Sequence, residues 1–546
     1  MSLSSTTPAP FKNSVTSRLR LTRIQRGLLF GAIALIAFLP IVYLGITPIP
    51  FERDVNEGAA SLHLTTSNMR MVFPNQCADV TWNVEGVKTI AINGQGKVGQ
   101  GTEKICDTSR PLTMNVELLD GTNRELRIGL ENLFLLNPVI ALLLITGVVM
   151  LTLALHNLLG SWVAITVLTV ALTLPVFLFY VTSGGAKDGA SDYSGHIRIA
   201  QGIMDGSRTI PPHFLYHAAV IGWVRLFPDA TLQDATLFFM LAASILTSIG
   251  MYAIIRIMTG KRPDTNWKWT LIYLAVPLLA FIGPVDFRSP MWLTSARIYP
   301  NPVHSPTYIF LKPFAVGLFA CFTALYKNAP KRWLLVGGMA LLTILGALAK
   351  PAYTLPIVPV AGLLFLFTFV RPLPIKRWEL IAGILFPAVV VLGWQYLYTY
   401  GPQQGDLYGQ TASLQFAPLV LYLEGWKVPP VNLLTDFMIS LAFPIFVYLG
   451  YRRAWRDGFL NVAWLVFLAG QALGYLFIEM PNWGHGNMVW SGRITSLVLF
   501  AASTAFFLRE NRDLLANDKG FPRDARFYVG MLLLALHIIP ILKLLL

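Results

Sequence analysis

The chain has 546 residues, of which 55% are hydrophobic and only 13% are charged. In a soluble protein of this size, about a quarter of the residues are charged. Here the apolar residues also form long blocks, which excludes a soluble enzyme and predicts a polytopic, mainly helical membrane protein. The formal net charge is +14. Its basic residues stand in short clusters between apolar blocks, so membrane topology explains them better than a nucleic-acid partner does.

The N-terminal segment predicts a cytoplasmic tail followed by a membrane anchor. Residues 1–26 are polar and carry Lys12, Arg18, Arg20, Arg23 and Arg26 ahead of the first apolar block. The positive-inside rule places such a tail in the cytoplasm. Residues 27–48 are long for a signal peptide, and Pro40 with the bulky residues after it makes no small-residue cleavage site. We therefore predict an anchor that is retained.

Residues 50–131 form the one region large enough for a water-exposed domain. Alternating runs at 80–84, 89–92 and 114–118 predict strands, and Asn93-Gly94 and Asp120-Gly121 predict the turns between them. These features predict a small extracytoplasmic β-sandwich, with an immunoglobulin-like fold as one form of it. A disulfide between Cys77 and Cys106 fits this domain and implies an oxidising compartment. It contains no catalytic constellation and is interpreted as a structural or docking module.

Residues 133–546 form the predicted transmembrane domain. With the anchor, their apolar blocks predict about thirteen membrane-spanning helices. The predicted spans are 133–155, 161–182, 231–258, 267–284, 307–326, 333–349, 352–370, 378–400, 431–450, 459–478, 489–508 and 527–545. Basic clusters at 256–268, 327–332, 371–377, 452–456 and 509–526 then all fall on the cytoplasmic side. The turn at 156–160 has no Lys or Arg, so that hairpin has the weakest support.

The loops on the other side differ in kind. Segments 183–230, 285–306, 401–430 and 479–488 collect acids, histidines, prolines and aromatic residues. A transporter would instead concentrate polar groups near the bilayer midplane, often with internal repeats, and none is evident here. This asymmetry predicts chemistry at the outer boundary of the membrane.

The first of these loops holds a polar cluster followed by an amphipathic stretch. Asp188, Asp192 and His196 are spaced i, i+4, i+8, so a helix would align them on one face. Ile199, Ala200, Ile203 and Met204 then give an apolar stripe, and Pro211-Pro212 ends the helix. The pattern predicts a helix on the membrane surface with its polar face toward a cavity. A solvated loop with a surface helix is the alternative.

The same loop resembles the first outer loop of the GT-C superfamily of membrane glycosyltransferases. The residues that carry the resemblance are Ser191-Asp-Tyr-Ser-Gly-His-Ile-Arg-Ile-Ala-Gln-Gly-Ile-Met-Asp-Gly206 and Ile210-Pro211. Asp192 matches the catalytic acid of that family. The family often has Asp-Glu where this chain has Asp192-Tyr193, which leaves Asp188 as a rival. The loops Arg297–Pro313 and Glu479–Trp490 resemble those of bacterial GT-C-like proteins. The resemblance covers residues 160–510 mainly through architecture, and excludes the β-sandwich.

The resemblance implies an inverting glycosyltransferase of the bacterial cytoplasmic membrane with its site on the outer face. It would take a sugar from a polyprenyl-phosphate donor to a glycan, glycolipid or protein acceptor of the cell envelope. Asp192 would act as the base, with Asp188 as rival and His196 tuning or relaying the proton. The substrate-binding candidates are Arg297, His304, Lys312, Lys350, Glu479, His485 and Arg493. The basic ones suit a lipid phosphate, although snorkelling to the interface would also explain each.

The remaining sequence signals leave several alternatives. Trp292, Tyr299, Trp426, Trp483 and Trp490 could stack on sugars, but an interfacial aromatic belt explains most of them. His304 and His485 could bind substrate or a metal, but they are not spaced as a metal-ligand pair. A divalent metal is compatible with the sequence without being required by it. No nucleotide-binding motif is present. Rival functions are a lipid-linked glycan polymerase or ligase, a lipid or glycan transporter, and an assembly scaffold.

Overall fold

The computed structural model describes residues 22–46, 51–57, 59–67, 70–71, 78–92, 94–105, 112–128, 131–132, 138–182, 192–260, 275–279, 305–400, 413–480, 486–512 and 524–545. Within these residues the chain is mostly helical. A first helix, α1 (Arg23–Ile46), precedes a β region, and the remaining helices follow it.

Two four-stranded antiparallel sheets make up most of the β region. Their strands are β1 (Phe51–Glu57), β2 (Ala60–Thr66), β4 (Ala78–Glu85), β5 (Val87–Ile92), β6 (Gln95–Lys97), β7 (Gln100–Ile105), β8 (Leu112–Leu118) and β9 (Asn123–Ile128). The strand orders are β1-β2-β4-β7 and β6-β5-β8-β9. Two short strands, β3 (Arg70–Met71) and β10 (Glu131–Asn132), pair in parallel.

The two sheets share one hydrophobic core. Strand β4 alternates buried and exposed residues along its whole length, which is the period of a half-buried strand. Its Val80 and Trp82 join Ile90 and Ile92 of β5 and Met114 of β8 in a single buried cluster. The strands predicted at 80–84, 89–92 and 114–118 are therefore present, and their apolar faces meet.

Cys77 and Cys106, the predicted disulfide partners, lie outside the described residues. Their sequence neighbours Ala78 and Ile105 are directly paired in the β4–β7 ladder. Among the described residues, Cys321 is a free cysteine. The disulfide stays a prediction.

The helices after the β region fall close to the predicted apolar blocks. They are α2 (Pro138–Leu159), α3 (Ser161–Thr182), α4 (Tyr193–Met204), α5 (Leu215–Leu226), α6 (Leu232–Thr259), α7 (Val276–Leu279), α8 (Pro306–Tyr326), α9 (Arg332–Ala349), α10 (Thr354–Val370), α11 (Arg377–Tyr400), α12 (Pro430–Ser440), α13 (Ala442–Gly450), α14 (Gly458–Leu476), α15 (Val489–Glu510) and α16 (Ala525–Leu545). A π-helical turn at Ile381–Leu385 interrupts α11. A second, Leu421–Gly425, follows β11 (Ser413–Phe416), which pairs with β12 (Phe477–Met480).

Seven of the described helices are long and apolar enough to cross a membrane. These helices are α3, α6, α8, α9, α11, α14 and α15. An eighth span results if α12 and α13 count as one, although these two are bent by 68° at their junction. The fold is thus that of a multi-pass membrane protein. The larger number of about thirteen spans stays a prediction, and most of the predicted span 267–284 lies outside the described residues.

Helix α15 forms the centre of the bundle. Its residues are buried from Val489 through Leu508, and it packs against α14, α6, α13 and α8. A helix that is buried all round has no lipid-facing stripe. Helix α15 is therefore enclosed by the helices that pack against it.

Each end of the bundle has its own polar contacts. At one end, Arg332 at the start of α9 pairs with Glu379 at the start of α11, and Arg509 near the end of α15 pairs with Asp457 before α14. These contacts join the basic clusters predicted to be cytoplasmic. The opposite ends of the same helices carry the site described next.

Candidate functional site

The predicted site residues divide into two groups. Asp188, Arg297, His304 and His485 lie outside the described residues. The other six, Asp192, His196, Lys312, Lys350, Glu479 and Arg493, lie at or near the same end of the bundle, on segments that are distant in sequence. The following contacts join those segments.

Asp192 immediately precedes the amphipathic helix α4, as predicted. It occupies the N-cap position, is exposed, and does not cap the helix with its side chain. The His196 amide donates to the Asp192 carbonyl at 3.0 Å, so the two residues are one helical turn apart. The apolar side of α4 contains Tyr193, Ile197, Ala200, Ile203 and Met204, which pack on a core shared with α3, α5, α6 and α8.

Two details of the predicted helix need correction. Ile197, not Ile199, packs on that core, because the stripe starts from the buried Tyr193 and repeats at helical spacing. The helix also ends at Met204, before Pro211 is reached, and the Asp205 amide donates to the Gln201 carbonyl at its end. Gly206 follows with a positive φ of 77°, a conformation that glycine adopts without strain.

His196 belongs to a chain of polar side chains that links three helices. Its Nδ1 lies 3.1 Å from Nε2 of His217 on α5. Its Nε2 lies 3.5 Å from Oγ of Ser305, the N-cap residue of α8. Ser305 Oγ lies 3.1 Å from Thr307 Oγ1. His217, Ser305 and Thr307 are all buried.

Trp490 on α15 is the centre of a cluster of cations and aromatic rings. The Nζ of Lys350 and the guanidinium carbon of Arg493 each lie 4.8 Å from the centre of the Trp490 ring. The Tyr308 ring lies 4.8 Å from it, centre to centre. Lys312 Nζ lies 5.2 Å from the Tyr308 ring centre. Contacts of this length allow attraction between a cation and the π face of the ring.

Local sequence places the two cations on Trp490. Lys350 ends α9 with extended backbone, φ −168° and ψ 123°, because Pro351 disfavours helical backbone in the residue before it. Arg493 follows Trp490 by three positions in α15, which puts both side chains on one face. Gly486 precedes that helix with φ 65°, and a Cβ there would lie 2.8 Å from the Trp426 ring.

These cations are buried to different degrees. Lys312 is 3% exposed and Arg493 8% exposed, whereas Lys350 is partly buried. Lys312 also lies two turns into α8, deeper than the predicted helix end. Snorkelling to the interface therefore does not describe Lys312 or Arg493. Trp490, at 6% exposed, likewise lies inside the protein and not in an interfacial belt.

Glu479 is held in place by hydrogen bonds from two side chains. Tyr400 Oη donates to it at 3.0 Å and Asn487 Nδ2 donates at 2.6 Å. Strand β12, which carries Glu479, pairs with β11 so that Leu414 lies opposite it. The carboxylate thus has a fixed position near the cation cluster.

The electrostatics connect these parts. Burial lowers the pKa of Lys350 to about 8, and Arg493 acts in the same direction, whereas the carboxylates of Asp192 and Glu479 oppose the shift. Burial, with smaller contributions from Lys350 and His217, lowers the pKa of His213 to about 3. Burial alone lowers the pKa of His217 to about 4. Both imidazoles are therefore neutral at neutral pH.

Several members of the site were not singled out from the sequence. They are His217, Ser305, Tyr308, Tyr400 and Asn487, each of which contacts a predicted site residue or Trp490 directly. The histidine was visible as one polar residue in a helical stretch of an outer loop. The others are single polar residues at helix ends, for which one sequence gives no signal.

A cluster with the right spacing to hold a metal ion lies in the β region, not among these residues. Its members are Asp54 and His63, which are paired across β1 and β2, and Glu52, which lies two residues before Asp54 on β1. Their side chains are 42% to 67% exposed. A hydrogen bond of 2.6 Å from His63 Nδ1 to Asp54 accounts for their approach. His304 and His485, predicted as substrate-binding residues and considered as metal ligands, lie outside the described residues.

Comparison of the chain with protein-family models, with curated proteins and with solved structures finds no match. The class is therefore defined by the fold and the site. It is a multi-pass membrane protein with a β region, in which buried cations and carboxylates meet at one end of the helical bundle.

This arrangement can bind an anion beside a carboxylate. Lys350 and Arg493 supply two cations on the same indole ring, and the Lys312 amine lies over the neighbouring Tyr308 ring. Arginine and lysine donors in poorly hydrated surroundings bind phosphate oxygens strongly. Asp192 supplies an exposed carboxylate close enough to influence Lys350. A phosphate ester and a group that needs deprotonation would both find partners here.

Proposed function

We propose that this protein is an inverting, GT-C-type glycosyltransferase that takes a sugar from a polyprenyl-phosphate donor. The acceptor would be a cell-envelope glycan, glycolipid or protein. The observation that carries the proposal is the approach of Lys350 and Arg493 to the same Trp490 ring, with the Asp192 carboxylate near Lys350. The multi-pass helical fold and the resemblance of the Asp192 loop to GT-C enzymes add to it.

The chemistry assigns each group a task. The Asp192 carboxylate takes the proton of the acceptor hydroxyl as its oxygen attacks the anomeric carbon. The bond from that carbon to the phosphate oxygen breaks on the opposite face, which inverts the configuration. The donor is a phosphodiester with one negative charge, and the leaving polyprenyl phosphate gains a second. Lys350 and Arg493 stabilise this added charge as it develops.

Burial of the cations supports this assignment. Placing a charged group away from water is costly unless an opposite charge compensates it. Arg493 is 8% exposed and Lys312 is 3% exposed. A bound phosphate would place a further opposite charge beside these groups in poorly hydrated surroundings, where charge-assisted hydrogen bonds are strong.

The proposed orientation puts the site on the extracytoplasmic side. Ser207, in the exposed turn after α4, and Arg453, with a side chain 84% exposed at the other end of the bundle, make suitable labelling positions. In a variant with serine at all three natural cysteine positions, Ser207→Cys should react with an impermeant thiol reagent in intact cells. Arg453→Cys should react only after lysis. The reverse pattern would invert the orientation.

A transporter is the second candidate, because α12 and α13 are bent by 68° where they meet. Broken helices often mark transporter binding sites. The deciding experiment uses purified protein in liposomes with a radiolabelled polyprenyl-phosphate sugar. Glycosyl transfer predicts that the label leaves the polyprenyl lipid and appears in the acceptor. Labelled donor that crosses the bilayer chemically unchanged would favour the transporter.

A further inference from the structure

We propose that His217 is a positioning residue that donates from Nε2 to Nδ1 of His196 and holds His196 as an Nε2–H donor. His196 then donates a hydrogen bond toward Ser305 and does not serve as the base of the site. The hydrogen-bond direction is independent of the proposed function, whereas the consequence for the base rests on it.

The geometry of the pair is fixed by three helices. His196 Nδ1 and His217 Nε2 are 3.1 Å apart, so one nitrogen donates and the other accepts. The ring of Tyr216 stands edge-on to both imidazoles, at 6.0 Å from His196 and 5.2 Å from His217. Tyr216 itself is anchored to Thr236 of α6 by a 2.9 Å hydrogen bond. The two rings therefore cannot turn freely.

Burial decides which histidine donates. His217 is 1% exposed, and its Nδ1 has no hydrogen-bond partner among the described residues. A neutral imidazole carries one proton. If His196 donated to Nε2 of His217, the His217 proton would stay on Nδ1 as a buried donor without a partner. Orphaned buried N–H groups are rarer than under-used acceptors, so the proton of His217 belongs on Nε2.

The direction of the His217–His196 hydrogen bond determines the direction of the next hydrogen bonds, which involve Ser305 and Thr307. Because His196 accepts at Nδ1, its own proton stands on Nε2, which faces Ser305 Oγ at a long 3.5 Å. Ser305 can then donate to Thr307 Oγ1 at 3.1 Å. Neither nitrogen of His196 is left to accept a proton unless the contact with His217 breaks. In this proposal His196 does not relay a proton. It is a fixed hydrogen-bond donor toward Ser305 at the start of α8.

The test is the tautomer of each ring, measured by nitrogen-15 NMR of the full-length protein in detergent with labelled histidine. His196→Gln and His217→Gln assign the two signals by their loss. Wild-type protein at pH 7 should show Nε2–H for both rings. An Nδ1–H tautomer of His196 would overturn the proposal, and this readout needs no substrate.

Two variants of His217 separate positioning from packing. His217→Gln retains an N–H that can reach His196, and should leave the His196 tautomer as in wild type. His217→Leu keeps the volume apolar and removes the donor, and should give a mixture of tautomers. His63→Gln, in the β region, serves as the matched control. An unchanged His196 signal in folded His217→Leu would contradict the role of His217. Absence of glycosyl transfer by wild-type protein whose tautomers are as expected would count against the proposed function alone.

Discussion

The ammonium nitrogen of Lys350 lies 4.8 Å from the centre of the Trp490 ring, although the two residues belong to helices that are far apart in the sequence. The contact joins the end of α9 to the start of α15. The same ring is approached by Arg493 at the same distance. Two like charges this close repel each other, and the carboxylates of Asp192 and Glu479 act on Lys350 in the opposite sense. A bound anion would add to that compensation, so we propose this position for the donor phosphate.

Removing either cation should weaken binding of polyprenyl phosphate. For Lys350→Ala and Arg493→Ala we expect affinity to fall at least about tenfold, or roughly 1.4 kcal/mol. Arg493→Lys should restore little if the contact is bidentate. Titration of purified protein with polyprenyl phosphate measures this. Arg371→Ala, at the exposed opposite end of α10, is the matched control. Wild-type affinity in both site variants would refute the phosphate assignment.

Binding should also depend on pH through Lys350, whose pKa burial lowers to about 8. Lys350 is positive below this value, so affinity should fall as pH rises through 8. The phosphate itself titrates near pH 6 and stays doubly charged in this range. Lys350→Arg, which remains charged, should abolish the dependence. Equal pH profiles of wild type and Lys350→Arg would show that another group titrates.

The same shift has a consequence for folding stability. The pKa of Lys350 is lower in the folded chain than its ordinary 10.5. The unfolded chain therefore binds more protons between about pH 8 and 10.5, and this residue's contribution to the free energy of unfolding rises with pH there. The variant Lys350→Met lacks this titrating group. The free energy of unfolding of the wild type, relative to that of the variant, should therefore rise with pH over this window.

The buried ion pair between Arg332 and Glu379 should be important for stability. Glu379 is fully buried and accepts two hydrogen bonds of 2.6 Å from Arg332. Arg332→Leu leaves a buried carboxylate without its partner and should cost about 3–5 kcal/mol. The double variant with Glu379→Leu should recover most of this loss. Denaturant unfolding in detergent measures both.

A surface pair provides the control for that measurement. Arg453 approaches Glu510 at 3.4 Å with a side chain that is 84% exposed. Exposed pairs contribute about 0–1 kcal/mol, so Arg453→Leu should have little effect. Equal losses for Arg332→Leu and Arg453→Leu would show that burial of Glu379 does not determine the stability.

Much of the fold follows from periodicity, whereas the site depends on packing. The blocks 307–326, 333–349 and 489–508 match α8, α9 and α15 within a few residues, because long apolar runs leave few alternatives to a helix. The alternation in β4 was equally informative. In contrast, the partnership of His196 with His217, or of Trp490 with Lys350, depends on how helices dock, which a single sequence does not encode locally.

Position along a helix was also harder to predict than the helix itself. The alternative that Lys312 snorkels to the interface requires it to lie near the outer end of its helix. It lies instead about two turns into α8 and is 3% exposed. The helix begins at Pro306, whose missing N–H suits a first helical position. For Trp490 both a sugar-stacking role and a place in an aromatic belt were open, because the sequence does not reveal that the residue is only 6% exposed.

The most direct test of the proposed function is single-turnover transfer of a radiolabelled sugar from its polyprenyl phosphate by purified Asp192→Asn. This change keeps the shape of the side chain and removes the base, so transfer should slow about a hundred- to ten-thousand-fold while donor affinity stays at the wild-type value. Asp205→Asn, at the exposed opposite end of α4, should transfer normally. Wild-type turnover by Asp192→Asn would contradict the assignment of this carboxylate as the base and, with it, the proposed catalytic site.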